Sequence, residues 1–75
     1  MPDWALIEEH ISEAMVALNM ASLQEFEAKH GAKAPIETLE RLLAHARMHH
    51  IPLASRMICR LLRMRCAHKP SVFEE

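Results

Sequence analysis

The sequence is poor in the residues that build sheets, tight turns and aromatic pockets. It has a single glycine, one tryptophan, two phenylalanines and no tyrosine. The apolar content of 51% comes mainly from leucine, isoleucine, alanine and six methionines. Alanine, leucine and methionine, with the glutamates and arginines, are strong helix formers, whereas sheets favour β-branched and aromatic residues. This composition predicts an all-α protein.

Disulfides and long hydrophobic runs are missing as well. The two cysteines, Cys59 and Cys66, fall on one predicted helix with their Cα atoms roughly 10 Å apart, too far for a disulfide. Free thiols are typical of a reducing compartment. No apolar run approaches the roughly 18 residues that a membrane span requires, and the first residues lack the basic and apolar regions of a secretory signal. We therefore expect a cytoplasmic protein that does not contact membranes.

The first half of the chain contains one long helical pattern that loses phase in its middle. Apolar residues recur at helical spacing at Trp4, Ile7, Ile11, Ala14, Met15 and Leu18. After Asn19 the same stripe would bury Ser22, Glu25 and Lys29. The segment 22–25 fits the S-x-x-E capping box. We predict a break between Asn19 and Ser22 and a second helix that ends at His30, with one unbroken helix over 3–30 as the alternative.

The second half predicts a pair of helices joined by a very short turn. Gly31 is expected to end the preceding helix in a left-handed conformation. Pro35 suits the first turn of a helix that runs to about His49, and Pro52 suits the start of a last helix that runs to about Ala67. The predicted fold is a small helical bundle of three or four helices with a C-terminal antiparallel helical hairpin. It forms a single domain over residues 1–69, followed by a flexible tail over 70–75.

Charge is unevenly distributed along the chain. Residues 1–40 contain eight acidic and two basic side chains, whereas residues 41–75 contain seven basic and two acidic ones, for a net charge of −1. The basic charge concentrates at Arg56, Arg60 and Arg63, which form one stripe on the last helix. Either the two halves neutralise one another, within a chain or between copies, or the arginine stripe binds an acidic partner.

The apolar content is high for so short a chain, which buries only about 60% of its unfolded surface on folding. This combination favours a homo-oligomer or a complex with another protein. The flexible methionine side chains suit adaptable protein-binding surfaces. We predict a non-enzymatic protein-interaction module (an adaptor, an inhibitor of a regulator or a chaperone-like partner) that packs leucine, methionine and isoleucine faces against another protein or another copy of itself. The predicted packing residues are Trp4, Ile11, Leu18, Met57, Leu61 and Met64, and the predicted charged contacts are Arg56, Arg60 and Arg63.

The alternative function is a dimeric regulator that binds nucleic acid through the same three arginines. Residues 46–55 resemble the turn of the helix-turn-helix found in bacterial repressors. The resemblance is imperfect, since His50 stands where that motif usually has glycine and Arg56 stands where it requires a buried aliphatic residue. The net charge is also negative, whereas DNA-binding domains are usually basic. Nucleic acid is therefore the second choice of partner.

No catalytic or cofactor pattern is present, so we expect no enzymatic activity and no cofactor. The best metal-binding candidates are His45, His49, Cys59 and Cys66. Their spacing matches no established zinc motif, and buried cysteine in a helix usually acts as a small apolar side chain. We predict no metal site.

Overall fold

A computed structural model describes residues 2–65, which form four α-helices and no strand. The helices are α1 (Trp4–Ala17), α2 (Met20–His30), α3 (Ile36–Met48) and α4 (Pro52–Arg65). The predicted all-α bundle is confirmed. The predictions for Cys66, for a last helix reaching Ala67 and for a tail over 70–75 lie outside the described residues. None of the four helices is both long and apolar enough to cross a membrane.

The first helical segment is divided in two, so the predicted break is confirmed and the unbroken helix is wrong. Leu18 adopts a left-handed conformation (φ 57°), and its N–H and that of Asn19 donate to carbonyls of the last turn of α1. Asn19 then caps α2, because its side chain accepts a hydrogen bond from the Ser22 N–H at 3.2 Å. The capping residue is thus Asn19 rather than Ser22, and α2 begins three residues earlier than the capping box indicates.

Gly31 ends α2 without the left-handed conformation that its position suggests. Its φ is −57°, a value open to any residue, so that prediction is wrong. Its missing side chain matters for space instead. A Cβ at this position would lie 2.6 Å from the Glu27 carbonyl oxygen and 2.7 Å from Leu61 Cδ2. Glycine therefore allows the chain to pass directly against α4 on its way to α3.

The turn between α3 and α4 contains the second left-handed residue, His50 (φ 57°). The Ile51 N–H donates to the Ala46 carbonyl at 2.9 Å and the His50 N–H donates to the Arg47 carbonyl at 3.2 Å. This pair of bonds is the Schellman motif, which satisfies the last carbonyls of a helix. Ile51 is buried beyond it, and α4 starts immediately at Pro52.

Contacts at one end of the bundle show that α1 and α3 begin where α2 and α4 end. Trp4 stacks edge-on against His30, with ring centroids 5.5 Å apart. Arg65 Nη1 donates to the Ala34 carbonyl oxygen at 2.6 Å, just before α3. Both helical pairs α1–α2 and α3–α4 are therefore antiparallel, as predicted for the C-terminal pair. We call this end the loop end, because the 31–35 connection crosses it.

The opposite end holds the two short turns, and we call it the turn end. There Val16 of α1 and His49, after α3, line one surface depression, while Met20 of α2 and Leu53 of α4 line one groove. The helix ends at this end of the bundle are thus the last turns of α1 and α3 and the first turns of α2 and α4.

The core lies between the four helices and contains residues from all of them. It is aliphatic apart from Phe26, which is fully enclosed. Each helix contributes residues at helical spacing, as the sequence pattern predicts. The largest enclosed apolar side chains are Phe26, Met15, Leu23, Leu39, Leu42, Ile58 and Leu62.

Candidate protein-interaction surfaces

Large apolar side chains remain exposed although the core is complete. Seven of them are found in residues 2–65: Leu6, Val16, Leu18, Met20, Met48, Leu53 and Met64. Scattered exposed apolar residues are normal for a soluble protein, whereas a local concentration marks a binding surface. The relevant observation is therefore where these seven lie.

Five of the seven lie at the turn end. Val16 and Leu18 are at the end of α1, Met20 begins α2, Met48 ends α3 and Leu53 is in the first turn of α4. Only Leu6 and Met64 lie elsewhere among the exposed set. Each helix of the bundle thus supplies an apolar side chain to one end of the molecule, and we call these five residues the apolar cluster.

The arginine stripe of α4 runs away from the apolar cluster along the outside of the bundle. Arg56, Arg60 and Arg63 are all exposed, as predicted. Arg60 pairs with Glu27 of α2 through Nη2 and Oε2 at 2.7 Å. Arg56 and Arg63 form no ion pair or side-chain hydrogen bond with any residue of the described chain. The stripe therefore presents two guanidinium groups to solvent on either side of a neutralised one.

A second interhelical ion pair joins the N-terminal and C-terminal halves. Arg41 Nε of α3 donates to both carboxylate oxygens of Glu8 of α1, at 3.0 Å each. The hydrogen bonds and the charge of Glu8 hold the Arg41 pKa above its ordinary value. Both interhelical pairs join an acidic side chain of residues 1–40 to an arginine of residues 41–75. Part of the charge segregation is therefore neutralised within one chain.

Two grooves flank the arginine stripe and differ in chemistry. The groove between α2 and α4 has apolar walls from Met20, Leu23, Leu53 and Met57. Among the described residues, the groove on the other side is lined by Arg47, Arg56, Arg60 and Arg63, with Cys59 and Met64 beside them. Arg56 and Arg60 line both grooves.

The fold separates the predicted packing residues into accessible and inaccessible ones. Ile11, Met57 and Leu61 are buried in the core of this chain, and of these Met57 also lines the groove between α2 and α4. Trp4 is half-buried against His30. Leu18 and Met64 are 62% and 67% exposed, so both remain available. The helical stripe indicates which residues are apolar on one face but does not distinguish a core from an interface.

Sequence reasoning did not single out the rest of the apolar cluster as binding residues. Val16, Met20, Met48 and Leu53 all lie beside the two short turns. Their signal in the sequence is a large apolar residue next to a helix boundary, where the end of the bundle leaves no neighbouring helix to cover it. Finding that signal requires the boundaries and helix directions first.

The metal candidates are not brought together in residues 2–65. The rings of His45 and His49 are 4.4 Å apart on α3, and Nε2 of His45 is buried without a hydrogen-bond partner in this part of the chain. Cys59 faces the groove beside the arginine stripe, and Cys66 lies outside the described residues. Within 2–65, no three histidine, cysteine or acidic side chains are grouped as metal ligands.

Comparison with known proteins gives no relative for this chain. No protein-family model, no curated protein and no solved structure matches it.

Proposed function

We propose that this protein is a non-enzymatic interaction module whose turn end packs against another protein. The apolar cluster is the observation that supports the proposal. Fully burying an exposed leucine or methionine side chain contributes about 1.5–3 kcal/mol, so five of them supply the apolar centre that a stable interface needs. The adaptor, inhibitor and chaperone-like roles all require this property. The partner is a different protein or a second copy of the chain.

The exposed arginines of α4 supply the charged edge of the same surface. Arg56 lies one helical turn from Leu53 and lines the groove that Met20 and Leu53 share. Cations at the rim of an apolar centre steer association and fix orientation more than they add affinity. In this role Arg56 contacts the partner beside the apolar cluster, Arg63 does so only where the partner extends along α4, and Arg60 is already paired with Glu27.

The test compares two leucines with nearly the same exposure at opposite ends of the molecule. Leu53 at the turn end is 54% exposed and Leu6 on α1 is 62% exposed. Tagged Leu53→Gln and Leu6→Gln variants are expressed in the native host beside the unchanged protein. We expect the unchanged protein and Leu6→Gln to be recovered in a stoichiometric complex and Leu53→Gln to be recovered without its partner.

The size of the purified protein distinguishes the two kinds of partner. If the purified protein sediments as a dimer or a larger species, and Leu53→Gln sediments as a monomer, the turn end mediates self-association. The proposal would be contradicted if Leu53→Gln kept its complex unchanged. It would also be contradicted if the unchanged protein sedimented as a monomer both when purified and in host extract. Circular dichroism of both variants checks that they fold.

The alternative function, nucleic-acid binding, is favoured by the two solvent-facing guanidinium groups that follow the tight turn. The left-handed His50 also occupies the turn position at which the helix-turn-helix usually has glycine. Against it, α4 lies antiparallel to α3, whereas the recognition helix of that motif crosses its neighbour at about 90–120°. A phosphate-binding surface would hold DNA at low salt and release it steeply as salt rises. Such binding, lost in an Arg56→Gln/Arg63→Gln variant, would replace the proposal with this alternative.

A further inference from the structure

We infer that the partner of the turn end is an amphipathic helix with carboxylates flanking its apolar stripe. This inference rests on the proposed function and adds the chemistry of the partner to it. It follows from the charges around the apolar cluster and from the backbone conformation of Leu18.

Arg56 carries an exposed guanidinium group beside Leu53 that pairs with no residue of the described chain. Residues 48–55 contain no carboxylate, and residues 14–24 contain no charged side chain at all. Two carboxylates of the described residues approach this region: Glu13 lines the depression beside His49 on the α1 side, and Glu27 lines the groove of Met20 and Leu53, where it is already paired with Arg60. A partner that carries its own carboxylates next to apolar residues complements this arrangement.

The same charges disfavour a second copy packed turn end to turn end. A two-fold interface presents the same patch from both copies. It would bring the unpaired Arg56 of one copy towards the Arg56 of the other. Like charges facing one another across an interface cost several kcal/mol. A helix of opposite charge avoids this cost and fits beside Met20 and Leu53, whose groove lies between two helices.

Leu18 is the residue that the structure assigns as the anchor for this helix. It is both left-handed and 62% exposed. A left-handed conformation costs a residue with a Cβ about 1–2 kcal/mol, and Leu18 gains little burial within the chain to offset it. The hydrogen bonds from the Leu18 and Asn19 N–H groups to Met15 and Ala14 explain the backbone conformation, as the same pair of bonds does at His50. They do not explain why an exposed position of this kind carries a large apolar side chain, and binding to a partner does. The conformation places an apolar side chain at the corner between α1 and α2, beside Val16 and Met20.

The anchor role predicts opposite effects of one substitution on stability and on binding. Asparagine tolerates the left-handed conformation better than leucine does. We expect Leu18→Asn to raise the denaturation midpoint of the free protein and to weaken binding about tenfold or more. A residue with a purely structural role would change both in the same direction.

The probes are two synthetic amphipathic helical peptides with the same leucine stripe, one flanked by glutamates and the other by lysines. Titration calorimetry measures their affinity for the protein, and vesicles of phosphatidylcholine with phosphatidylserine test for an anionic membrane instead. We expect the acidic peptide to bind about tenfold or more tightly than the basic one, and its affinity to fall as salt is raised. Leu53→Gln should weaken its binding, and Leu6→Gln should not.

Any other result with the peptides or the vesicles contradicts the inference that the partner is an acidic amphipathic helix. Equal affinity for the two peptides, or no binding of either, would remove the acidic helix as the partner. Binding of the vesicles without binding of the acidic peptide would assign the surface to anionic lipid. The proposed function fails separately, when Leu53→Gln keeps its complex in the native host. A complex that depends on Leu53 while the acidic peptide shows no preference would leave the function standing and overturn only the partner's chemistry.

Discussion

At the scale of single residues, Gly31 and His50 reverse the usual rule that glycine takes the left-handed conformation at the end of a helix. The only glycine of the chain is right-handed and is needed because a Cβ would collide with Glu27 and Leu61. His50 instead takes the left-handed position at the end of α3, although it has a side chain. The bonds of the Schellman motif hold it there, since they satisfy carbonyls that would otherwise lack partners. His50 therefore adopts a locally unfavourable conformation because the chain must turn directly into α4.

This conformation predicts that His50→Gly stabilises the protein. Glycine adopts the left-handed region without the penalty of a Cβ, so we expect the free energy of unfolding to rise by about 0.5–1 kcal/mol, after the greater entropy of glycine in the unfolded chain is subtracted. Chemical denaturation measures the change. The matched control is His49→Gly, because His49 is also exposed but has a φ of −94°. Equal effects of the two substitutions would contradict the explanation.

At the scale of the helices, side-chain caps fix where α1 and α2 begin. Asp3 accepts a hydrogen bond from the Leu6 N–H, and Asn19 accepts one from the Ser22 N–H, at 3.2 Å in each case. The second cap is the one that separates α1 from α2. It replaces the capping box that Ser22 and Glu25 would form, and Glu25 pairs with Lys29 instead, at 2.8 Å.

The position of the cap is tested by comparing Asn19→Ala with Ser22→Ala. Loss of an N-cap side chain costs about 0.5–2 kcal/mol, so we expect Asn19→Ala to lower the free energy of unfolding by about 1 kcal/mol. Only the backbone N–H of Ser22 takes part in the cap, and Ser22→Ala should therefore have a much smaller effect. Thermal unfolding of both variants measures the difference. A larger loss in Ser22→Ala would place the start of α2 at the capping box after all.

At the scale of the whole molecule, the segregated charges act as links between helices. Glu8–Arg41 joins α1 to α3, and Glu27–Arg60 joins α2 to α4. Each pair connects two helices that the chain does not connect directly. Exposed pairs of this kind contribute little to stability and are screened by salt. Their main effect is to favour this arrangement of the four helices over others with the same core.

These links predict a salt-dependent difference between the protein and a Glu8→Gln/Glu27→Gln variant. At low salt we expect the variant to have a lower denaturation midpoint than the unchanged protein, and the difference should shrink as sodium chloride is raised. Denaturation of both proteins across a salt series measures it, and the unchanged protein corrects for effects of salt on the core. A difference that stays constant with salt would mean that the two pairs do not act through their charge.

Much of the architecture could be predicted from local patterns. The apolar spacing of the first helix indicates the core positions Ala14 and Met15, and Pro52 indicates the start of the last helix. These predictions succeed because burial of one helical face and the geometry of proline are properties of short segments. The candidate site was predicted only in part. Leu18, Met64 and the arginines are exposed, whereas Ile11, Met57 and Leu61 belong to the core, since apolar spacing alone does not tell how many helices surround a face.

Local features of the sequence are enough to establish that the chain is helical, that it breaks after α1 and that its charge is divided between the two halves, because helix propensity, caps and charge are local. The tertiary structure places both short turns at the same end of the bundle, with Leu18, Met20, Met48 and Leu53 beside them. It also decided that Arg60 is paired while Arg56 and Arg63 face solvent in the described part of the chain. The reason is physical: which side chains remain uncovered depends on the directions in which the helices pack, and residues far apart in the chain set those directions together.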